Sequence, residues 1–167
     1  MITNLNLMSV GTEIAEAIKD NATVISFCNE EFGTQPHYFV GELLKKQIPT
    51  AEETPYVVVC DLTKVEGVNV EYCEYHCSII IGVGSDTKSD VVETSDGINT
   101  VDIYDVCNAF MQVIINALHE RKFTQRPIAK LITRGTYPVE SDGTHWASIL
   151  ECNWRVYQTL GLDEQEF

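Results

Sequence analysis

Basic residues are scarce in this sequence. Eleven Lys and Arg stand against 25 Asp and Glu in 167 residues, for a formal net charge of -14 and a pI near 4.5. Proteins that wrap duplex DNA neutralise phosphates with clustered cations, so no specific nucleic-acid binding is expected. Five of the cations (Arg121, Lys122, Arg126, Lys130 and Arg134) follow His119, and they read as residues closing a preceding helix at its negative end. The chain also lacks any apolar run near the ~18 residues of a membrane span. Its first residues, MITNLNLMSVGTEIAEAIKD, carry no basic leader. The expectation is a protein made in the cytosol and free of membranes.

Signatures of enzyme chemistry are equally thin. Gly82-Val83-Gly84 has no third glycine and no helix directly after it, so the dinucleotide fingerprint fails, and neither a phosphate loop nor a nucleophile elbow is present. Cys73, His76 and Cys77 look like zinc ligands. On a strand, however, the two cysteines lie about 13 Å apart on one face while His76 points to the other. Pairs such as Cys152 with His145, or Cys107 with His119, have no flanking signature of a thiol hydrolase. Asp86, Asp90, Glu93 and Asp96 miss the spacing of a calcium loop and read as a solvated acidic loop. No catalytic residue, cofactor or metal is therefore expected. The six cysteines (Cys28, Cys60, Cys73, Cys77, Cys107 and Cys152) sit in apolar stretches of a chain with no export signal, and they are read as reduced, buried thiols.

What is present is apolar periodicity. With 44% apolar residues, the chain can bury a core as a single domain spanning 1–167. Val10, Ile14, Ala17 and Ile18 predict a helix over 9–20 capped by Ser9 or Thr12. Ala22–Cys28, rich in β-branched and aromatic residues, reads as a short strand. GTQP at 33–36 breaks regular structure, and Tyr38–Gln47 reads as a short helix. The run Tyr56–Leu62 predicts a strand buried on both faces. Lys64–Gly67 then turns the chain into an antiparallel partner, Val68–Val83, which at about 3.3 Å per residue would be about 50 Å long. Within it the apolar set changes phase from Val68, Val70 and Tyr72 to Cys73, Tyr75, Cys77, Ile79 and Ile81, predicting a bulge near Tyr72-Cys73.

Gly84–Asn99 reads as a long acidic loop anchored by Val91, Val92 and Ile98, mobile in the free subunit and able to order on a partner. Ile103, Val106, Phe110, Val113, Ile114, Ala117 and Leu118 trace the face of a helix over 102–120, with Asp102 and Asp105 suited to its first turn. Strands Ile128–Thr133 and Trp146–Thr159 follow, separated by an exposed turn at Tyr137–Thr144. The fold class is thus α+β, a mostly antiparallel sheet flanked by two main helices. A competing reading is a small cytosolic enzyme or ligand-binding protein with a pocket between helix 102–120 and the sheet.

Long strands apolar on both sides fit a subunit that completes its core against neighbours. The element order is a helix, the proline-led strand Thr54-Pro55-Tyr56-Val57-Val58-Val59, the long strand Tyr72–Val83, an acidic loop, a long helix ending near His119, and a two-strand finish through Trp146–Tyr157. It resembles the tail terminator, or tail completion, proteins of long-tailed bacteriophages, in phage or prophage-derived form. Two features depart from that pattern: residues 28–50 extend beyond it, and six cysteines are more than it implies. The resemblance implies a tail-terminator-like fold and a structural, non-enzymatic role. It implies a homohexameric ring that caps the tail tube, ends tube polymerisation and meets the head–tail connector protein. Its partners would be further copies of itself, the tail-tube protein and the connector, and its location the bacterial host cytoplasm during assembly and then the virion tail. Asp86, Asp90, Glu93 and Asp96 would meet a partner or the lumen, where negative charge lets DNA pass without sticking.

Overall fold

A computed structural model describes residues 6–66, 72–84, 91–121 and 128–157. The fold is α+β, with three α-helices and a mostly antiparallel five-stranded sheet among the described residues. None of those helices is long and apolar enough to cross a membrane.

Helix α1 (Leu7–Lys19) starts earlier than the sequence predicts, because Asn6 is its cap and accepts a hydrogen bond from the Met8 N–H at 2.8 Å. Its buried stripe is Gly11, Ile14, Ala15, Ala17 and Ile18. Helix α2 (Ala22–Phe32) replaces the predicted strand at Ala22–Cys28, which gives three helices where two were expected. The physical reason lies at its ends. Asn21 accepts from the Thr23 and Val24 N–H groups, and Gly33 closes the helix in the left-handed conformation, so both termini are satisfied. Val24 and Cys28, four residues apart, then face the core. Capping and this stripe outweigh the β preference of individual residues.

The predicted helix at Tyr38–Gln47 is likewise absent. In its place strand β1 (His37–Val40) runs parallel to β2 (Tyr56–Glu66), and Lys45–Gln47 forms a single 3-10 turn. Pairing with β2 satisfies the backbone that a helix would have satisfied internally. Strand β2 continues through the predicted turn at Lys64 and pairs antiparallel with β3 (Tyr72–Gly84). The bulge falls on β2, between Cys60 and Thr63, not near Tyr72-Cys73. There Asp61 adopts a positive φ of 52° and its N–H donates to the Glu42 carboxylate at 2.7 Å, so a side chain from the preceding segment holds the irregular residue. The first apolar set, Val68 and Val70, lies outside the described residues.

Strand β3 pairs without a break, from Tyr72 to Gly84, with β7 (His145–Tyr157), which in turn pairs with the edge strand β6 (Ile128–Pro138). The sheet order is β1-β2-β3-β7-β6. Tyr75, Cys77, Ile79 and Ile81 face the helices as their alternation predicts. The Gly84–Asn99 loop is not a bare connection. Residues Val91–Glu93 (β4) and Asn99–Val101 (β5) form a separate two-stranded ribbon that leads directly into helix α3 (Asp102–Glu120).

Helix α3 matches its predicted span. Ile103, Val106, Phe110, Ile114, Ala117 and Leu118 are buried, joined by Cys107 and Met111. At its centre Phe110 stacks on Phe27 with ring centroids 5.7 Å apart and meets Phe32 edge-on at 5.4 Å, tying α2 to α3. All three helices contribute to one core against a single sheet face. The opposite face carries a smaller cluster of Tyr56, Val58 and Cys60 under Phe39, Leu43 and Ile80, so β2 is buried on both sides as predicted.

Candidate interaction surface

The ribbon holds two of the four acids expected to meet a partner. Glu93 ends β4 opposite Asn99, and Asp96 occupies the turn; both are exposed. Asp86 and Asp90 lie outside the described residues. The turn is closed by Thr94, whose N–H and hydroxyl both donate to the Ile98 carbonyl, and by Gly97 at φ 76°, a left-handed position that suits glycine. Asp96-Gly97 flanked by apolar residues is a hairpin signal in its own right, and it is what the reading of a long acidic loop anchored by Val91, Val92 and Ile98 missed.

Val91, Val92 and Ile98 are not anchors. They are 62, 50 and 61% exposed, and every residue of both strands is exposed. Alternation places Val91 and Val101 on one side of the ribbon and Val92 and Ile98 on the other. Both sides are therefore apolar and both face solvent. An isolated two-stranded ribbon is marginal in water at best.

A second exposed region is the lower half of the sheet face turned away from the helices. Here Asp61, Thr63, His76, Ser78, Glu151 and Asn153 line a shallow depression of mixed polar and apolar surface. His76 lies 3.5 Å from the Glu74 carboxylate. Cys77 points to the other side, into the core, as the strand geometry of the presumed zinc cluster requires. Among the described residues no three His, Cys, Asp or Glu side chains converge as metal ligands.

The thiol–imidazole pairs are separated by the fold. His145 and Cys152 lie seven positions apart on one strand, about 23 Å, and on opposite faces. Cys107 and His119 are twelve positions apart on α3, about 18 Å. His145 is instead buried and bonded through Nε2 to the Tyr56 hydroxyl at 2.8 Å. Burial holds its pKa below the usual histidine value, against a smaller opposing pull from Glu140. Gly82 lies beneath the Tyr56 ring, where a Cβ would come within 2.0 Å of a ring carbon, so one glycine of the Gly82-Val83-Gly84 motif serves packing. Cys28, Cys60, Cys77, Cys107 and Cys152 are free and buried. Burial pushes the thiols of Cys28, Cys60 and Cys107 up to about 12, the opposite of what a nucleophile needs.

No known family model matches this sequence, and no curated protein does. The space between α3 and the sheet, where a ligand pocket was the competing expectation, holds the fully buried side chains of Phe110, Ile114, Ile79 and Leu150. A second depression, lined by Ser9, Thr12, Glu13, Glu16 and Arg121 with Met8, lies along α1. Among the described residues the arrangement leaves two exposed surfaces: an apolar ribbon and the part of the sheet face that Phe39 and Leu43 do not cover.

Proposed function

We propose that the protein is a structural, non-enzymatic subunit of phage tail assembly, a tail terminator that forms a homohexameric ring. The ring caps the tail tube, ends its polymerisation and presents a surface to the head–tail connector protein. The observation that carries this reading is the ribbon Val91–Val101, apolar and solvent-facing on both sides in the single subunit. Exposed apolar surface in one contiguous projecting element marks an association site. The helices packed on one sheet face, with part of the other uncovered, support it further, since a subunit built this way has a sheet surface left for neighbours. The net charge of -14 suits a channel through which DNA passes without adhering. In this reading Asp86, Asp90, Glu93 and Asp96 meet a neighbour or line the lumen, and the protein works in the host cytoplasm during assembly and in the virion tail.

Light scattering at micromolar concentration tests the ring, with a mass of about six subunits expected. Added to polymerising tail-tube protein, the ring should stop elongation. A strictly monomeric species that leaves tube growth unaltered would sink the reading.

A further inference from the structure

The segment joining β1 to β2 carries a second exposed apolar patch, and its charge is opposite to that of the ribbon. Leu44 and Ile48 are exposed on either side of the 3-10 turn that presents Lys45 and Lys46. The turn is held in shape by two reciprocal bonds, from the Leu44 N–H to the Gln47 side chain at 3.0 Å and from the Gln47 N–H to the Leu44 carbonyl at 2.7 Å. Two adjacent lysines are notable in a chain with only 11 cations. Of the acids near them in sequence, Glu42 accepts from the Asp61 N–H and Glu53 from the Thr50 N–H, while Glu52 is exposed. The ribbon offers the complement, Val92 and Ile98 on one side with Asp96 in the adjoining turn.

We infer that the ribbon of one subunit docks on the Leu44–Ile48 turn of the next copy of this chain, Val92 and Ile98 against Leu44 and Ile48, with Asp96 at the ribbon's turn facing Lys45 and Lys46. Two different patches of one chain that fit each other make a heterologous contact, and repetition of such a contact closes a ring when the rotation allows. The apolar pairs supply the attraction, and the charges set register and partner choice. This inference rests on the ring reading and assigns it an interface.

The test uses the full chain with two double variants, Val92→Ser with Ile98→Ser and Lys45→Glu with Lys46→Glu. All four side chains are exposed, so each variant should keep the melting temperature of the parent. Each should be monomeric by light scattering where the parent is a ring, with the concentration needed for assembly raised about tenfold or more. Mixed together, the two variants should form a one-to-one dimer and stop there, because only one intact ribbon meets one intact turn. Adding Asp96→Lys to the Lys45→Glu, Lys46→Glu variant should restore the ring. A monomeric parent overturns both the ring and this interface. A ring-forming parent whose variants also form rings overturns the interface alone, and rings that assemble normally but no longer stop tube growth would assign the ribbon to the tail-tube protein instead.

Discussion

Valine has opposite fates in two parts of this molecule. Val57 and Val59 in β2 are 0% exposed beneath the helices, whereas Val91 and Val92 in the ribbon are more than half or half exposed. Both pairs lie in hydrogen-bonded strands, and local sequence makes strands of both. The difference is what lies across from each strand. β2 has α1 on one face and the Phe39–Leu43 segment on the other, while the ribbon has solvent on both. The body is stabilised by its own packing; the ribbon's apolar surface has no covering layer among the described residues.

That contrast breaks most sharply in the body. Replacing Phe110 with Ala removes the ring on which Phe27 and Phe32 pack, and a cost of about 3–5 kcal/mol is expected in urea unfolding. Tyr56→Phe leaves the buried His145 Nε2 without its hydroxyl partner, for a loss of about 1–3 kcal/mol by the same measurement. His145 also gives a pH signature. Because its pKa is lowered in the folded state, the unfolded chain binds the extra proton first. Its contribution is fully present above the unfolded value of about 6.5 and is lost as pH falls below it toward the folded value. His145→Gln should remove that part of the acid-side slope in a series of unfolding curves between pH 8 and 5.

Smaller effects sharpen the boundary between the regions. Asn21→Ala deletes the cap of α2 and should cost about 1 kcal/mol, visible as a lower melting temperature with secondary structure retained. In the ribbon Val91→Thr should change stability by no more than about 0.5 kcal/mol, since the side chain is already in solvent. An unfolding cost comparable to that of Phe110→Ala would mean that the ribbon belongs to the packed body after all.

The legible parts of the sequence were those where one periodicity ran long enough to outvote its neighbours. Helix α3 has a buried stripe from Ile103 to Leu118, and β3 alternates cleanly from Tyr75 to Ile81. Where a segment was short, composition misled. Thr23, Val24, Ile25 and Phe27 are all good strand residues, yet Asn21 and Gly33 frame them as a helix, and the frame decides. His37–Val40 becomes a strand because β2 offers a parallel partner 19 residues downstream, from His37 to Tyr56, a long-range fact that no local window contains. The irregularity assigned to β3 sits instead on β2, where Asp61 is held by Glu42.

The candidate site was half legible. Acidic residues drew attention to the segment that carries the ribbon, and Glu93 and Asp96 are exposed on it. The valines and the isoleucine beside them were read as anchors because apolar residues in a small domain are ordinarily inside. Their exposure depends on the absence of a covering layer, which is a property of the whole fold and not of the segment.

The central pairing of β3 with β7 has a consequence for how the chain is made. Its partners are between about 60 and 85 residues apart in sequence, with the ribbon and α3 in between. Contacts of such separation close late. During synthesis β2 and β3 can pair as soon as they emerge, but the free edge of β3 stays open until the ribosome has delivered the last described strand. For that interval the nascent protein presents an unpaired edge with three consecutive isoleucines, the kind of surface that invites pairing with the wrong chain. Raising the temperature or the expression rate should therefore lower the soluble yield well before it unfolds the finished subunit, and slowing translation should recover it.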